Sequence, residues 1–486
     1  MGYIIYAPLI IVIILYVIVK HLFTYWDRQG IINIPPTIVY GNLRPTIKHQ
    51  KSFQTNINDL YWEAVTVPYI GIYLLCRPAL LIRDLNLVKR ILIQDQEFFK
   101  HRGIYCDTQQ DPMSMNLFSA TDASHTNLHA KLSPLFSKMM TTNLFETVHR
   151  EGRSLINELG KYVNDVKPVV NLHKLLHTHL LNVIGGIFLG LKINLFENDD
   201  ESFKYFNEDI AQNLSRFKQA QAFLYPGTMK ITKKTHFPRN AQSFLMKSVE
   251  NAMRGGNGII HALTANEVRE SDTNRLSNAT IAAQIFSFYY IGNQTLHQIV
   301  ISCLTELLNN PDTLDKLLVE NDTILKKHHA QLSYDALQEM TYLDLCLKET
   351  LRKSPPTAII TRECTKDYII EESGQTIKKG IKVIIPLASI QNDDTYFTNP
   401  KDFMPERFLE ENEKFIYDAY MPYGSGSRQC PAKQLSELIV KCAIVNVISS
   451  FTILINNEKD DNQPTTINKP HTNETLLKNV IIKPRV

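Results

Sequence analysis

The sequence predicts a mainly α protein with a small β-sheet. Three observations carry that class. Residues 140–270 repeat apolar side chains at helical spacing, as does the run Gln434–Val445. A long helix is predicted from Ser277, a suitable N-cap, to Asn309, with Asn310-Pro311 as its stop. The only clear strand signal is a pair between about 67 and 84, from Val67-Pro68-Tyr69-Ile70-Gly71-Ile72-Tyr73-Leu74-Leu75 to Leu80-Leu81-Ile82.

Composition narrows the class of function. The chain has 486 residues, 44% hydrophobic and 21% charged, which is ordinary for globular proteins. Its net charge of +3 is too small to imply a nucleic-acid partner. The seven cysteines (76, 106, 303, 346, 364, 430 and 442) form no Cys-x-x-Cys pair, so neither a disulfide framework nor a zinc site reads out. That pattern suits a reducing compartment.

From the N-terminus, Tyr3 to Val19 is almost wholly apolar and uncharged. At ~1.5 Å per residue it spans roughly 26 Å, close to a bilayer core of ~30 Å. A cleaved signal peptide is the alternative, but a basic leader and a small-x-small cleavage site are both missing. Lys20, His21 and Arg28 follow, and positive charge stays cytosolic, so residues 1–28 read as an anchor with a lumenal N-terminus. Phe23, Tyr25 and Trp26 suit the membrane interface. Residues 29–43, with Ile34-Pro35-Pro36 and Gly41-Asn42, form a stiff non-helical hinge, and 44–486 is the remaining domain.

Cys430 closes a glycine-rich turn, Met421-Pro422-Tyr423-Gly424-Ser425-Gly426-Ser427-Arg428-Gln429-Cys430-Pro431-Ala432. With Pro431 in a first helical turn, Cys430 stands at a helix N-terminus, where dipole and free amides favour a thiolate. Such a thiolate is a metal ligand or a nucleophile; a buried structural thiol is the plainer alternative.

The stretch resembles the haem-ligand loop of the cytochrome P450 family, Phe-x-x-Gly-x-Arg-x-Cys-x-Gly. We read the pattern's Gly, Arg and Cys on Gly424, Arg428 and Cys430, with Tyr423 for its Phe and Ala432 for the last Gly. The resemblance implies that Cys430 gives haem iron its axial thiolate. It extends along nearly the whole chain and is similar to the insect microsomal detoxification branch. It implies a fold with haem between the long central helix and the Cys430 loop.

That helix carries Ile291-Gly292-Asn293-Gln294-Thr295 where the family has Ala/Gly-Gly-x-Asp/Glu-Thr. Gly292 and Thr295 match, and Gln294 replaces the acid, so it has no titrating group. Arg102, Arg362 (in Arg362-Glu363-Cys364) and Arg428 are implied cofactor-binding residues, together with Tyr423. Where the insect branch carries Trp-x-x-x-Arg, for a haem propionate, this chain has His125 and His129. Histidines at i and i+4 also admit a zinc reading, although Thr126 stands where a His-Glu-x-x-His motif has Glu. Glu349-x-x-Arg352 places opposite charges on one helix face, ordinarily a solvated pair. The resemblance makes it instead a buried structural network with Arg407 of Pro405-Glu406-Arg407-Phe408.

The implied function is insertion of one oxygen atom from O2 into a lipophilic substrate, on haem b. The implied partners are membrane lipid and an NADPH-dependent flavoprotein reductase docking near Lys433, Lys441 and Arg428, with the protein anchored in the endoplasmic reticulum membrane. Two other functions stay open: a haem-thiolate isomerase or dehydratase that needs no O2, and a weakly active haem protein that binds lipophilic ligands.

Overall fold

The structure, a computed structural model, describes residues 13–14, 16–163, 169–197, 201–213, 216–232, 237–255, 257–268, 275–409, 418–456 and 476–485. Most of the apolar stretch 3–19 lies outside them. Among the described residues no helix is long and apolar enough to cross a membrane.

Six helices position the site. They are α1 (Asp122–Leu132), α2 (Lys138–Val163), α3 (Leu172–Leu189), α4 (Asn278–Asn309), α5 (Thr341–Lys353) and α6 (Lys433–Ser450). The central one is α4, 32 residues long. The Ser277 hydroxyl caps it by accepting the Thr280 N–H at 3.1 Å, and Pro311 opens a separate helix after Asn310. Nineteen of its 32 residues are buried, including unbroken runs at 281–287 and 299–307, so the burial is all-round there, as expected of a helix packed inside a larger protein. It packs on α3, α5 and α6. Together with α2, these contribute to the largest apolar core among the described residues.

The second core surrounds a four-stranded sheet. Strands β1 (Tyr69–Leu74) and β2 (Arg77–Ile82) form an antiparallel hairpin, so the predicted strand pair stands, trimmed at its ends. With β3 (Ile360–Glu363) and β4 (Lys382–Ile385) the order is β1-β2-β4-β3. β2 and β4 run parallel with Leu80 opposite Val383, and β3 pairs antiparallel to β4 with Arg362 opposite Val383. A three-stranded sheet of Val169–Val170, Val480–Pro484 and Phe451–Ile455 lies apart.

Two of the aromatic residues assigned to the membrane interface are in this core instead. Trp26 is 0% exposed and Phe23 9%. The Trp26 indole donates to Ile72 O at 3.0 Å and lies flat against Gly71, where any Cβ would collide with the ring. A buried indole needs an acceptor, and the edge of β1 supplies one. The following stretch runs along the same edge: Ile34 N–H bonds Gly71 O at 3.0 Å, and Asn42 Oδ1 accepts the Tyr73 N–H at 2.7 Å.

Candidate active site

The cysteine turn is held by its own backbone. Gly424 N–H donates to Met421 O at 2.8 Å, and Cys430 N–H to Tyr423 O at 2.9 Å. The Tyr423 hydroxyl meets Ser436 Oγ at 3.0 Å, tying the turn to α6. Both glycines have positive φ, +76° and +72°. Their surroundings differ. A Cβ on Gly424 would meet nothing closer than 3.9 Å, whereas one on Gly426 would run into Leu92 O. Gly426, four residues before the cysteine, is therefore the position that the pattern's Gly occupies, and the assignment to Gly424 is corrected.

A second correction concerns the thiol. α6 begins at Lys433 with Ala432 as its cap, so Cys430 precedes the helix and does not sit in its first turn. Its pKa is raised, not lowered: although Cys430 keeps an exposed surface, the chain packed around it desolvates the thiol, and the Ala432 N–H and the Arg102 charge only partly offset this. The turn therefore does not by itself favour a bare thiolate.

Arg102, Arg362 and Arg428 converge beside this turn. Arg102 donates to Phe118 O at 2.8 Å and to Arg428 O at 3.0 Å, and its guanidinium lies 4.4 Å from the centre of the Phe118 ring. Arg362 on β3 is 4% exposed and donates to Thr361 O at 2.9 Å. Arg428 is 7% exposed, and its buried Nη1 has no hydrogen-bond partner. Burial pushes Arg362 down to about 10, with the Arg428 charge adding to it. Burial likewise pushes Arg428 down to about 10, opposed by Asp122. Arg102 falls well below its ordinary value, through burial and then the other two guanidinium groups. Three mutually repelling cations with one carboxylate at their margin form a site for an anion of at least two charges, and the orphaned Nη1 is a free donor for it. The two propionates of haem have that charge, so the residues fit the group.

His125 and His129 on α1 face the same cluster, with ring centroids 5.8 Å apart. His125 is buried, and its pKa is driven down to about 3 by burial and then by Arg428, Arg102, His129 and Arg362. Burial and its cationic neighbours thus favour its neutral form. His129 Nδ1 lies 3.2 Å from Ser133 Oγ. No group of three or more His, Cys, Asp or Glu among the described residues could hold a metal ion.

At the middle of α4, a Cβ on Gly292 would meet nothing within 4 Å. Ile291 beside it is 38% exposed, on a helix otherwise largely buried. The Thr295 hydroxyl donates to Ile291 O at 2.9 Å and approaches Gly292 O at 3.2 Å, leaving its lone pairs to accept. Gln294 is exposed.

The structure brings Glu349, Arg352 and Arg407 together. Glu349 takes two bonds from Arg352, at 2.8 and 2.9 Å, and one from Arg407 at 3.0 Å. The Met404 N–H adds a fourth at 3.0 Å. Arg352 also donates to Gln391 O and Pro400 O, and Arg407 to Thr398 O. Glu349 and Arg352 are both 0% exposed. Of the cations expected at a docking face, Lys433 is exposed, but Arg428 is buried and Lys441 is 6% exposed and bound to Asp344.

Sequence reading passed over Gln284, a fully buried amide on α4 that bonds the loop at 115–117. A glutamine in a helix gives no local signal of burial; only its partners, about 170 positions away, reveal it.

Residues 34–477 match the family model described as "Cytochrome P450". "Probable cytochrome P450 6d5" of Drosophila melanogaster is 32% identical over 482 residues, covering 94% of each chain. "Cytochrome P450 6d3" of Musca domestica is 33% identical over 476 residues, 90% of this chain and 91% of its own. "Cytochrome P450 6B1" of Papilio polyxenes is 28% identical, covering 89% of each. A family match across the mainly helical fold and its cysteine turn, with insect relatives of nearly equal length, shows that this chain belongs to the cytochrome P450 family of haem b monooxygenases.

Proposed function

We propose that the chain is a membrane-anchored monooxygenase acting on lipophilic substrates, with electrons from NADPH delivered by a flavoprotein reductase in the endoplasmic reticulum membrane. The observation that carries the site assignment is the cluster of Arg102, Arg362 and Arg428 beside Cys430. Cys430 would ligate the haem iron, and the three guanidinium groups would hold the propionates. Haem supplies, when bound, the iron at which O2 is activated for insertion of one oxygen atom. A depression between α5 and α6, lined by Lys138, Lys348, Lys433 and Lys441 against Asp344 and Glu437, carries a surplus of positive charge that supports docking of an acidic partner surface on this side.

His125 and His129 replace an aromatic donor and a permanent cation. A charge-assisted hydrogen bond contributes roughly 1.5–3 kcal/mol, so His129→Arg is expected to slow haem transfer to apomyoglobin by about ten-fold or more. An unchanged or faster transfer removes His129 from the propionate site.

A second departure from the family concerns proton supply. Gln294 can hold water by hydrogen bonds but releases no proton, so delivery runs through Thr295, whose lone pairs can accept from that water. General acid–base help is typically worth ~100- to 10,000-fold. Gln294→Glu is therefore expected to raise product formed per NADPH consumed in a system reconstituted with reductase, and Thr295→Ala to lower it. Turnover by added peroxide, which brings its own oxygen and protons, is expected to change less. The missing acid also suits an isomerase or dehydratase. Product that forms without NADPH, reductase and O2 would establish that reading and exclude the proposed one.

A further inference from the structure

The loop from Met113 to Ser119 is a small rigid unit. Asn116 Oδ1 accepts the N–H groups of Phe118 and Ser119, at 3.1 and 3.2 Å, and Ser114 Oγ donates to Asp111 O at 2.7 Å. Such side-chain-to-backbone bonds fix a loop's shape without fixing where it sits. Its place is set from outside: the Asp107 N–H donates to Ser114 Oγ at 2.8 Å, Met113 and Leu117 are buried in the larger core, and two side chains grip its backbone. At one end Arg102 donates to Phe118 O and carries the Phe118 ring on its guanidinium face. At the other the Gln284 amide closes on the backbone: Oε1 accepts the Leu117 N–H at 2.8 Å and Nε2 donates to Met115 O at 2.7 Å. A third bond, from Nε2 to Thr280 O at 3.1 Å, holds the amide in place on its own helix.

Gln284 is 0% exposed, so each of these bonds replaces one that water would otherwise make. Its position along α4 gives the clamp a meaning beyond stability. At ~100° per residue, Gln284, Ile291 and Thr295 fall within roughly one 40° arc of the helix. At ~1.5 Å per residue Gln284 stands about 10 Å above Ile291 and about 16 Å above Thr295. The loop is therefore pinned over the same face that presents Ile291 and Thr295. Phe118 is 41% exposed at the Arg102 end of that loop, offering an apolar ring beside the arginine cluster.

We propose that Gln284 is a positioning residue for substrate: its amide fixes the 115–118 loop over the reactive face of α4, and so sets where the Phe118 ring stands as the upper wall of the site. The proposal rests on the haem-thiolate reading for the location of that site, but the clamp itself can be read without it. Without Gln284 the loop loses its bonds to α4 and keeps only those from Arg102 and Asp107 besides its core packing, so the wall shifts, and bulky ligands lose their contact while small ones do not.

The test uses the full-length protein and two azole probes of different size, imidazole and clotrimazole, followed by their spectral shifts, with amide exchange of the 112–119 segment read alongside. Gln284→Leu is expected to weaken clotrimazole about ten-fold while imidazole stays within two-fold, and to speed exchange in 112–119 about ten-fold or more. Gln284→Glu, held protonated in this fully buried place, keeps the acceptor for Leu117 N–H and one donor to share between Met115 O and Thr280 O, so it should fall between parent and Leu; it also carries the comparison if Gln284→Leu does not fold. Equal weakening of both azoles, or unchanged exchange in 112–119, overturns the proposal. A parent protein that binds neither azole would sink the haem reading, whereas the exchange measurement would still decide the clamp.

Discussion

Cys430→Ser is expected to abolish the thiolate-type absorption of the reduced carbon monoxide complex and to reduce NADPH-dependent turnover to background. The change replaces one sulfur atom with oxygen. It removes the soft anionic donor that haem chemistry of this type requires, because a hydroxyl does not ionise near neutral pH. The turn itself should survive. It is held by Cys430 N–H to Tyr423 O, by Gly424 N–H to Met421 O and by the Tyr423 hydroxyl on Ser436, none of which uses the sulfur. Loss of the band in a protein whose thermal midpoint is nearly unchanged would identify Cys430 as the ligand. A retained band in the serine variant would show that another residue holds the iron.

Glu349→Ala is expected to leave little folded protein. Glu349 takes three arginine bonds and a backbone N–H with no access to water, and its removal strands two guanidinium groups. Removing one partner of a buried ion pair costs about 3–5 kcal/mol. Set against a total stability of typically ~5–15 kcal/mol, that is a large share. A neighbouring pair provides the control. Lys316 and Glu406 are 2.6 Å apart, but their side chains are 59% and 40% exposed, so Lys316→Ala should cost under about 1 kcal/mol. Soluble yield and thermal midpoint of the two variants decide the matter: equal midpoints would mean that the Glu349 network is structurally dispensable.

The sequence alone determined the elements whose signals are local. The Ser277 cap, the apolar run behind it and Pro311 bound α4, because a hydroxyl, a repeat and a missing N–H act on the nearest turns of chain. The spacing of Arg428 and Cys430, and of Glu349 and Arg352, likewise falls on short segments, so motif and geometry coincide there. Tertiary structure decided everything that depends on burial. Trp26 reads as an interface aromatic until Gly71 makes room for its ring. Gly424 and Gly426 are equivalent as turn residues, and only the approach of Leu92 O distinguishes them. Cys430 follows a glycine turn and precedes a helix, yet its thiol pKa rises, since desolvation by surrounding chain outweighs one nearby N–H. The convergence of Arg102, Arg362 and Arg428 spans more than 320 positions, as does the Arg102–Arg428 hydrogen bond itself. Spacing is written along the chain, but exposure to water is set by which distant segments pack together, and it is exposure that fixes charge, pKa and the strength of each polar contact in this site.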